Sequence, residues 1–197
     1  MTYNSQTFVD ANKAISNVLD IKNPVAVIVG GTSGIGEHTA YTFAKYTEAP
    51  SIYIVGRSEE SGKRVLDRLK QLNRNPSSKF QFIKCDTGLI KEDDRLCSII
   101  SKNERKVNLL VSSAGYLSFE GYIENSEGLN KKLAVHCYGR WRVVQGLIPL
   151  LSEAAKSKEP ARTIVVHGAG REGNIFKTDL ELKESTWYQP FNSATTN

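Results

Sequence analysis

Three glycines follow an apolar segment closely enough to form a binding site for an anion. Val25–Val29 is apolar, mostly β-branched and too short for a helix, so it predicts a buried strand. Gly30, Gly34 and Gly36 come next, and the residues after Gly36 have helical spacing. Such a turn lets the backbone approach a diphosphate, and the helix directs unpaired N–H groups and the positive end of its dipole at the same place. The alternative is a purely structural turn. The pattern favours a dinucleotide-binding turn made of Gly30, Thr32, Ser33, Gly34, Ile35 and Gly36.

An arginine stands at the end of the next predicted strand, roughly twenty residues beyond the glycine turn. An acidic residue at this place holds the ribose 2′-hydroxyl of NAD, whereas an arginine accommodates the 2′-phosphate of NADP. The guanidinium of Arg57 is planar and forked, which suits a phosphate, and Ser58 can add a hydroxyl donor. The alternative is an exposed arginine that pairs with Glu59 or Glu60. We expect Arg57 and Ser58 to bind the phosphate, and the cofactor to be NADP(H).

Small and polar residues follow the third and fourth predicted strands. Asp86 can accept a hydrogen bond from an adenine amino group, or it can cap the turn that it begins. Thr87 lies in the same turn. Ser113, Ala114 and Gly115 leave room for a nicotinamide ribose, although a tight strand exit also needs small residues. We expect all five residues to contribute to cofactor binding.

Strands and helices alternate along the chain as a parallel sheet requires. The hydrophobic pattern predicts strands at 25–29, 52–55, 80–84, 107–111 and 163–166, and helices at 37–46, 59–72, 91–102 and 126–156. We expect the last helix to be bent or broken near Pro149. This alternation predicts an α/β fold, a doubly wound parallel sheet of Rossmann type with strand order 3-2-1-4-5. A ligand then lies across the carboxyl ends of the strands.

The composition is that of an ordinary globular chain. Its 197 residues include 26 basic and 21 acidic ones, spread along the sequence without the dense basic and aromatic mixture of a nucleic-acid surface. Three widely spaced cysteines form neither a metal-ligand pattern nor a disulfide framework, which favours a reducing compartment. The sequence has no apolar segment long enough to span a bilayer. We therefore expect a cytoplasmic protein without a metal, nucleic-acid or membrane partner.

These motifs together resemble those of the short-chain dehydrogenase/reductase family. Val29–Gly36 matches the family's Thr-Gly-x-x-x-Gly-x-Gly with valine in place of threonine, and Asp86 matches its aspartate after strand 3. Ser112–Gly115 resembles the family's Asn-Asn-Ala-Gly element with both asparagines replaced by serine. Leu147–Leu151 resembles the end of the long helix that follows. The resemblance implies a Rossmann-type fold, NADP(H), and oxidoreduction of a carbonyl compound or an alcohol.

The residues that the family uses for catalysis are poorly matched. The resemblance implies a helix asparagine, a serine after strand 5, and a Tyr-x-x-x-Lys pair whose tyrosine exchanges a proton with the substrate oxygen. His136 stands at the asparagine position, and Gly168 stands at the serine position with His167 before it. Tyr188 is the late tyrosine, and Asn192 stands where the lysine is expected. We take Tyr188 and His136 as the catalytic candidates, the alternatives being an aromatic anchor and a packing residue.

The family pattern continues beyond strand 5, whereas the sequence ends at Asn197. We expect a C-terminally truncated or divergent member whose later strands are absent. Residues 1–23 predict an N-terminal helical extension, and residues 24–197 a single NADP-binding domain that is incomplete at its C-terminus. The expected function is an NADP(H)-dependent oxidoreductase acting on a small carbonyl compound or secondary alcohol, with self-association into a homo-oligomer left open. The alternative is a non-catalytic dinucleotide-binding protein, or a degenerate fragment with a scaffold or regulatory role.

Overall fold

Five parallel strands form a sheet in the computed structural model, which describes residues 6, 7, 9, 10, 13, 21, 23–118, 120–168, 177–181, 183 and 184. The strands are β1 (Val25–Val29), β2 (Ser51–Gly56), β3 (Lys79–Lys84), β4 (Leu109–Ser112) and β5 (Arg162–Val165). They lie in the order β3-β2-β1-β4-β5, and each neighbouring pair is parallel. The predicted fold of Rossmann type is therefore confirmed, including the predicted strand order.

Helices connect the strands on both sides of the sheet. They are α1 (Gly34–Tyr46), α2 (Glu59–Leu72), α3 (Ile90–Asn103), α4 (Lys131–Leu133) and α5 (Gly139–Lys156), with a π-helical segment (Ala134–Tyr138) between the last two. α5 continues through Pro149 without the predicted break. Leu147 and Leu150 pack into the core on either side of the exposed Pro149, so their burial outweighs the hydrogen bond that proline removes. The irregularity of this helical stretch lies instead in the π-helical segment.

β1 is the centre of the core because all of its residues are buried. Successive side chains of a strand face opposite sides of the sheet. Val27 belongs to one buried cluster with Leu96 of α3 and Leu147 of α5, whereas Ile28 belongs to a second cluster with Ala40 of α1. Helical layers thus cover both faces of the central strands. A ligand can reach these strands only at their ends.

Two apolar surfaces of the described structure are left uncovered. β5 lies at the edge of the sheet, and its Ile164 is 49% exposed. On the outer side of α5, Trp141 and Ile148 are 58% and 50% exposed. Large apolar side chains that remain exposed together mark a surface on which another protein surface can pack.

The predicted N-terminal helical extension falls largely outside the described residues. Those that the structure describes between positions 6 and 13 are helical. The assignment of residues 24–197 to one domain also stays a prediction, because the structure describes only part of residues 169–197.

Helix α3 carries a carboxyl group that is fully buried. Asp93 is 0% exposed, and one of its oxygens lies 4.0 Å from the Cys85 sulfur. The other oxygen has no hydrogen-bond partner among the described residues. Burial, followed by the charges of Asp94 and Glu127, raises the pKa of Asp93 to about 8. Asp93 is therefore mostly protonated at neutral pH, and its ionisation destabilises the folded state.

The free energy of unfolding of the wild type should fall as pH rises, and we expect Asp93→Asn to abolish this fall. The unfolded chain releases this proton near the ordinary aspartate pKa of 3.8, whereas the folded chain keeps it up to about 8. The free energy of unfolding therefore falls as pH rises between these values. Between pH 5 and 7 the wild type should lose about 1 kcal/mol per pH unit relative to the variant, measured by urea unfolding. Asp94→Asn is the matched control and should keep most of the wild-type slope; a similar slope in Asp93→Asn would contradict the assignment.

Candidate functional site

The turns at the carboxyl ends of β1 to β4 surround a groove with a cavity volume of about 260 Å³. Every cofactor-binding residue predicted from the sequence lines this groove except Gly36 and Ser58. The groove lies beside the switch between β1 and β4, where a doubly wound sheet binds its ligand. Its lining also includes residues that the sequence did not single out for binding, namely Val55, Gly56, Cys85, Tyr116 and Val135.

Two of the three glycines are required by the fold itself. A Cβ atom at Gly30 would lie 2.5 Å from the backbone nitrogen of Ala114, and one at Gly36 would lie 2.5 Å from the carbonyl oxygen of Gly30. Gly30 also has a φ of +79°, in the left-handed region that favours glycine. Both glycines therefore allow the end of β4 and the start of α1 to pack against the turn after β1.

The third glycine faces open space. Gly34 has a φ of +54°, and a Cβ atom there would meet nothing within 4 Å. Helix α1 begins at Gly34, and the side chain of the preceding Ser33 does not cap it. The first N–H groups of α1 thus remain available to an anion that approaches through this space. This part of the groove fits a diphosphate.

Ser113 fixes the end of β4 against the turn after β1. Its backbone N–H donates to the carbonyl oxygen of Val29 at 2.8 Å, and its hydroxyl donates to the same oxygen at 3.1 Å. The small residues that were predicted to leave room for a ribose therefore also make the tight strand exit. Ala114 and Gly115 follow directly and line the groove.

An ion pair holds the glycine turn from the side of α2. Arg64 donates to the two carboxylate oxygens of Glu37 at 2.5 and 2.8 Å, and to the carbonyl oxygen of Thr32 at 2.9 Å. Tyr41 donates its hydroxyl to Glu37 at 2.7 Å. The Arg64 guanidinium holds the pKa of the buried Glu37 carboxyl at about 2, well below its usual range. The charge of Arg64 is thus matched within the protein.

Arg57 differs from Arg64 because it makes no hydrogen bond or ion pair with the described residues. It is exposed and lines the edge of the groove. Glu59, which the sequence offered as a partner, pairs with Lys84 at 2.9 Å. Ser58 caps α2 by accepting a hydrogen bond from the Ser61 N–H at 3.2 Å, so its own hydroxyl proton can still be donated. Arg57 is therefore available to bind an anion at the groove.

Asp86 caps the turn after β3 and also lines the groove. One of its carboxylate oxygens accepts a hydrogen bond from the Gly88 N–H at 3.1 Å. The other oxygen accepts none from the described residues, which leaves it available to an amino group of a ligand. The capping role is thus observed, and the adenine contact stays a prediction.

His136 connects the π-helical segment to the loop after β4. Its Nε2 lies 3.0 Å from the Tyr116 carbonyl oxygen, to which a protonated Nε2 donates. A Cβ atom at Gly115 would lie 2.8 Å from His136 Cε1, so Gly115 must be small to admit the ring. Burial lowers the pKa of His136. These contacts explain a packing role, and a catalytic role for His136 stays a prediction.

The other catalytic candidate, Tyr188, lies outside the described residues. Of the two predicted catalytic residues, the described structure therefore contains His136 alone. What it does bring together is the predicted cofactor-binding set, drawn from turns that are far apart in the sequence.

The family model described as short chain dehydrogenase matches residues 24–166, which contain the five strands and the groove. The chain belongs to the short chain dehydrogenase family. Among curated relatives, Oxidoreductase AN1596 of Emericella nidulans is 38% identical over 165 residues, covering 84% of this chain and 48% of the relative. The chain spans about half the length of the curated relatives it matches.

Solved structures share the fold of this family member. The Pseudomonas aeruginosa RhlG/NADP active-site complex aligns with a TM-score of 0.65 and 21% identity, covering 88% of this chain and 62% of the other. The NADH-dependent reductase A1-R′ complexed with NAD aligns with a TM-score of 0.65 and 18% identity, covering 89% and 68%. At these identities the similarity concerns the fold alone.

The described part of this family member gives two further negative findings. Its helices include none that is both long and apolar enough to cross a bilayer. Its His, Cys, Asp and Glu side chains form no group of three or more that could hold a metal ion.

Two arginines that shape the site were missed by sequence reasoning. Arg64 acts on Glu37 from 27 positions away, and no local pattern links them. Arg140 is buried in α5 and donates to the Ala114 carbonyl oxygen at 2.8 Å. A signal for Arg140 was present, because it stands on the same helical stripe as the buried Val143 and is the charged member of that stripe.

We expect Arg64→Met to lower the free energy of unfolding by about 1–2 kcal/mol at pH 7 in urea titrations, because it leaves the Glu37 carboxylate buried without its cation. Arg68→Met on the same helix, where Arg68 donates to Gln71 at the surface, should cost less than about 0.5 kcal/mol. The cost of Arg64→Met should shrink as pH falls from 4.5 towards 2, where Glu37 becomes protonated. Equal losses in the two variants would contradict the role given to Arg64.

Proposed function

We propose that the groove binds NADP(H), and that the chain takes part in an oxidoreduction between this cofactor and a small carbonyl compound or secondary alcohol. The observation that carries the proposal is the pairing of two anion-binding features in one groove. One is the uncapped start of α1 beside Gly34, and the other is Arg57, which has no partner among the described residues. Their chemistry suits a ligand with a diphosphate and a separate phosphate.

Each part of the proposed cofactor has a matching group in the groove. The diphosphate would lie on the first N–H groups of α1 beside Gly34, and the 2′-phosphate on Arg57 at the edge of the groove. Ser58, which follows Arg57 outside the groove lining, would add a hydroxyl donor. The adenine amino group donates to Asp86, and the nicotinamide ribose lies beside Ser113–Gly115. When bound, the reduced cofactor supplies a hydride to the carbonyl carbon. The protein's part is to hold and orient it.

The choice of NADP(H) over NAD(H) rests on Arg57. Solved structures with this fold include complexes with NADP and with NAD, so the fold leaves both cofactors open. The Arg57 guanidinium favours the phosphorylated ribose, because none of the described residues pairs with it and a phosphate would supply the missing acceptors. The Arg64 guanidinium does not contribute to this choice of cofactor, because it is already paired with the Glu37 carboxylate.

For the chemical step, we keep Tyr188 as the proposed proton donor to the substrate oxygen. His136 supports the site by holding the loop at Gly115 and Tyr116 through its hydrogen bond to the Tyr116 carbonyl oxygen. Both roles are part of the proposal.

The proposal extends to location and assembly. Cys85 and Cys97 are buried free thiols, which supports a reducing compartment such as the cytoplasm. Trp141 and Ile148 stand two helical turns apart on the outer side of α5 and are both exposed, and these apolar side chains support self-association into a homo-oligomer.

The protein should bind NADPH and oxidise it in the presence of some members of a panel of aldehydes and ketones. Binding is measured by fluorescence titration, and turnover by the loss of NADPH absorbance. Gly34→Val should abolish binding, because its side chain fills the open space and strains a left-handed backbone position. Binding that survives in Gly34→Val would contradict the cofactor site. Tight binding without turnover would instead favour a non-catalytic dinucleotide-binding role.

We expect Arg57→Ala to weaken NADPH binding by about 10- to 100-fold, as expected for loss of charge-assisted hydrogen bonds to a phosphate. NADH affinity should change by less than about threefold, because NADH has no 2′-phosphate. Arg68→Ala, an exposed arginine of α2 away from the groove, is the matched control and should leave both affinities unchanged. Equal losses for NADPH and NADH would remove Arg57 from the 2′-phosphate.

A further inference from the structure

A second cavity, with a volume of about 500 Å³, adjoins the groove proposed to bind the cofactor. The groove and this second cavity have four lining residues in common, which are Arg57, Asp86, Tyr116 and Val135. Arg57 and Asp86 are the residues proposed to bind the 2′-phosphate and the adenine amino group. The second cavity therefore meets the groove at the end proposed for the adenosine part of the cofactor.

Tyr116 supplies the aromatic ring in the described lining of both cavities. The backbone of Tyr116 is held by His136, whose Nε2 lies 3.0 Å from the Tyr116 carbonyl oxygen and 3.4 Å from its backbone nitrogen. The two rings also contact each other, with centroids 5.7 Å apart and an angle of 41° between their planes. The Tyr116 side chain is half-buried, and its hydroxyl makes no hydrogen bond with the described residues. The ring thus starts from a fixed backbone and presents part of its surface to both cavities.

The Tyr116 hydroxyl lies near the charged groups proposed to bind the adenosine part. Burial raises the pKa of Tyr116, the Glu120 and Asp86 carboxylates raise it further, and the Arg57 guanidinium lowers it. Such charges act on a partly exposed hydroxyl only over a short distance, because water screens them. This electrostatic proximity agrees with the lining of the two cavities, in which Tyr116 accompanies Asp86 and Arg57.

Apolar side chains lie beside the free oxygen of Asp86 in the second cavity. Leu89 and Val135 are half-buried and line it. A Cβ atom at Gly88 would lie 3.2 Å from Cγ2 of Val135 and 3.2 Å from Oδ1 of Asp86, so Gly88 allows these two side chains to approach each other. An aromatic ring, apolar side chains and one acceptor form a site for a flat heterocycle that carries an amino group. Adenine is such a heterocycle.

A third cavity, of about 610 Å³ along β3, also includes Arg57 and Asp86 in its lining. Its aromatic residue is Phe82, which packs against α2 so closely that a Cβ atom at Gly62 would lie 2.4 Å from the Phe82 ring. Tyr116 does not belong to the described lining of this cavity. The second cavity is therefore the better candidate for a base whose phosphates lie in the groove.

We propose that the second cavity binds the adenine base of the cofactor, and that the Tyr116 ring stacks on this base. The inference rests on the proposed function, because it takes the ligand of the groove to be a dinucleotide. Stacking on an aromatic ring stabilises any flat base, whereas the contact with Arg57 depends on the charge of a phosphate. Tyr116 therefore contributes equally to the binding of NADPH and NADH, and Arg57 discriminates between them.

Binding to the full chain is measured with three probes: NADPH, NADH and adenosine 2′,5′-bisphosphate, which is the adenosine half of NADPH. Tyr116→Leu should weaken the binding of all three by about 5- to 100-fold, because it removes the stacking surface. Tyr116→Phe keeps the ring and should stay within about threefold of the wild type. Tyr122→Leu is the matched control, since Tyr122 lies in the same loop but not in the lining of either cavity, and it should bind all three probes as the wild type does. Unchanged binding in Tyr116→Leu, a loss confined to NADPH, or equal losses in Tyr116→Phe and Tyr116→Leu would overturn the stacking role.

NMR of the wild type locates the base without relying on a variant that must fold. The chain is labelled with ¹³C in its eight tyrosines and seven phenylalanines, and the Tyr116 ring signals are assigned by their absence from Tyr116→Phe. In the complexes with NADP⁺ and with adenosine 2′,5′-bisphosphate, the adenine H2 and H8 protons should give nuclear Overhauser effects to the Tyr116 ring. Such effects to Phe82 instead, or to Tyr116 from the nicotinamide protons alone, would overturn the inference. A wild type that binds neither NADPH nor adenosine 2′,5′-bisphosphate contradicts the proposed function, whereas binding of both without a contact between adenine and Tyr116 contradicts this inference alone.

Discussion

The site depends on a close backbone crossing between the end of β4 and the turn after β1. Gly30 and Gly36 leave no space for a Cβ atom at this crossing, and Ser113 ties the two chain segments together through the Val29 carbonyl oxygen. The crossing brings the start of α1 and the loop after β4 together in the lining of one groove. Arg57 and Asp86 line the same groove from the ends of β2 and β3.

Three arginines near the groove illustrate how burial and pairing assign different tasks to one residue type. Arg64 is matched by Glu37 and serves as a brace for the glycine turn. Arg140 is buried among backbone carbonyl oxygens and joins two strand ends. Arg57 is exposed and unpaired within the described structure, which leaves its charge for a ligand. The net basic charge of the chain does not reveal these roles, because they depend on the partners of each arginine and not on the number of basic residues.

Much of the fold was readable from local patterns. The apolar run of β1, the glycines and the alternation of elements predict the sheet order, because few topologies satisfy the handedness and connection rules. Most of the groove residues could be predicted from this sheet order, because the carboxyl ends of parallel strands meet at one edge of the sheet. The continuity of α5 through Pro149 was not readable, because it depends on core packing around Leu147 and Leu150. The contacts of Arg64 and Arg140 join distant segments, so they emerge only once the chain has folded.

The exposure of Arg57 also has an entropic consequence. Backbone hydrogen bonds hold the turns that line the groove, including those at Gly30, Cys85 and Ser113, so a ligand has little ordering to impose on these turns. In the proposed complex with NADP(H), the exposed Arg57 would lose rotamer freedom on binding the 2′-phosphate, and ordering such a side chain costs up to about 2 kcal/mol. This cost offsets part of the gain from the new hydrogen bonds. Under the proposed function, the selectivity between phosphorylated and unphosphorylated dinucleotides would depend on how stiff this one side chain is in the free protein. A neighbour that restricted its rotamers to the bound conformation would then sharpen that selectivity without touching the ligand.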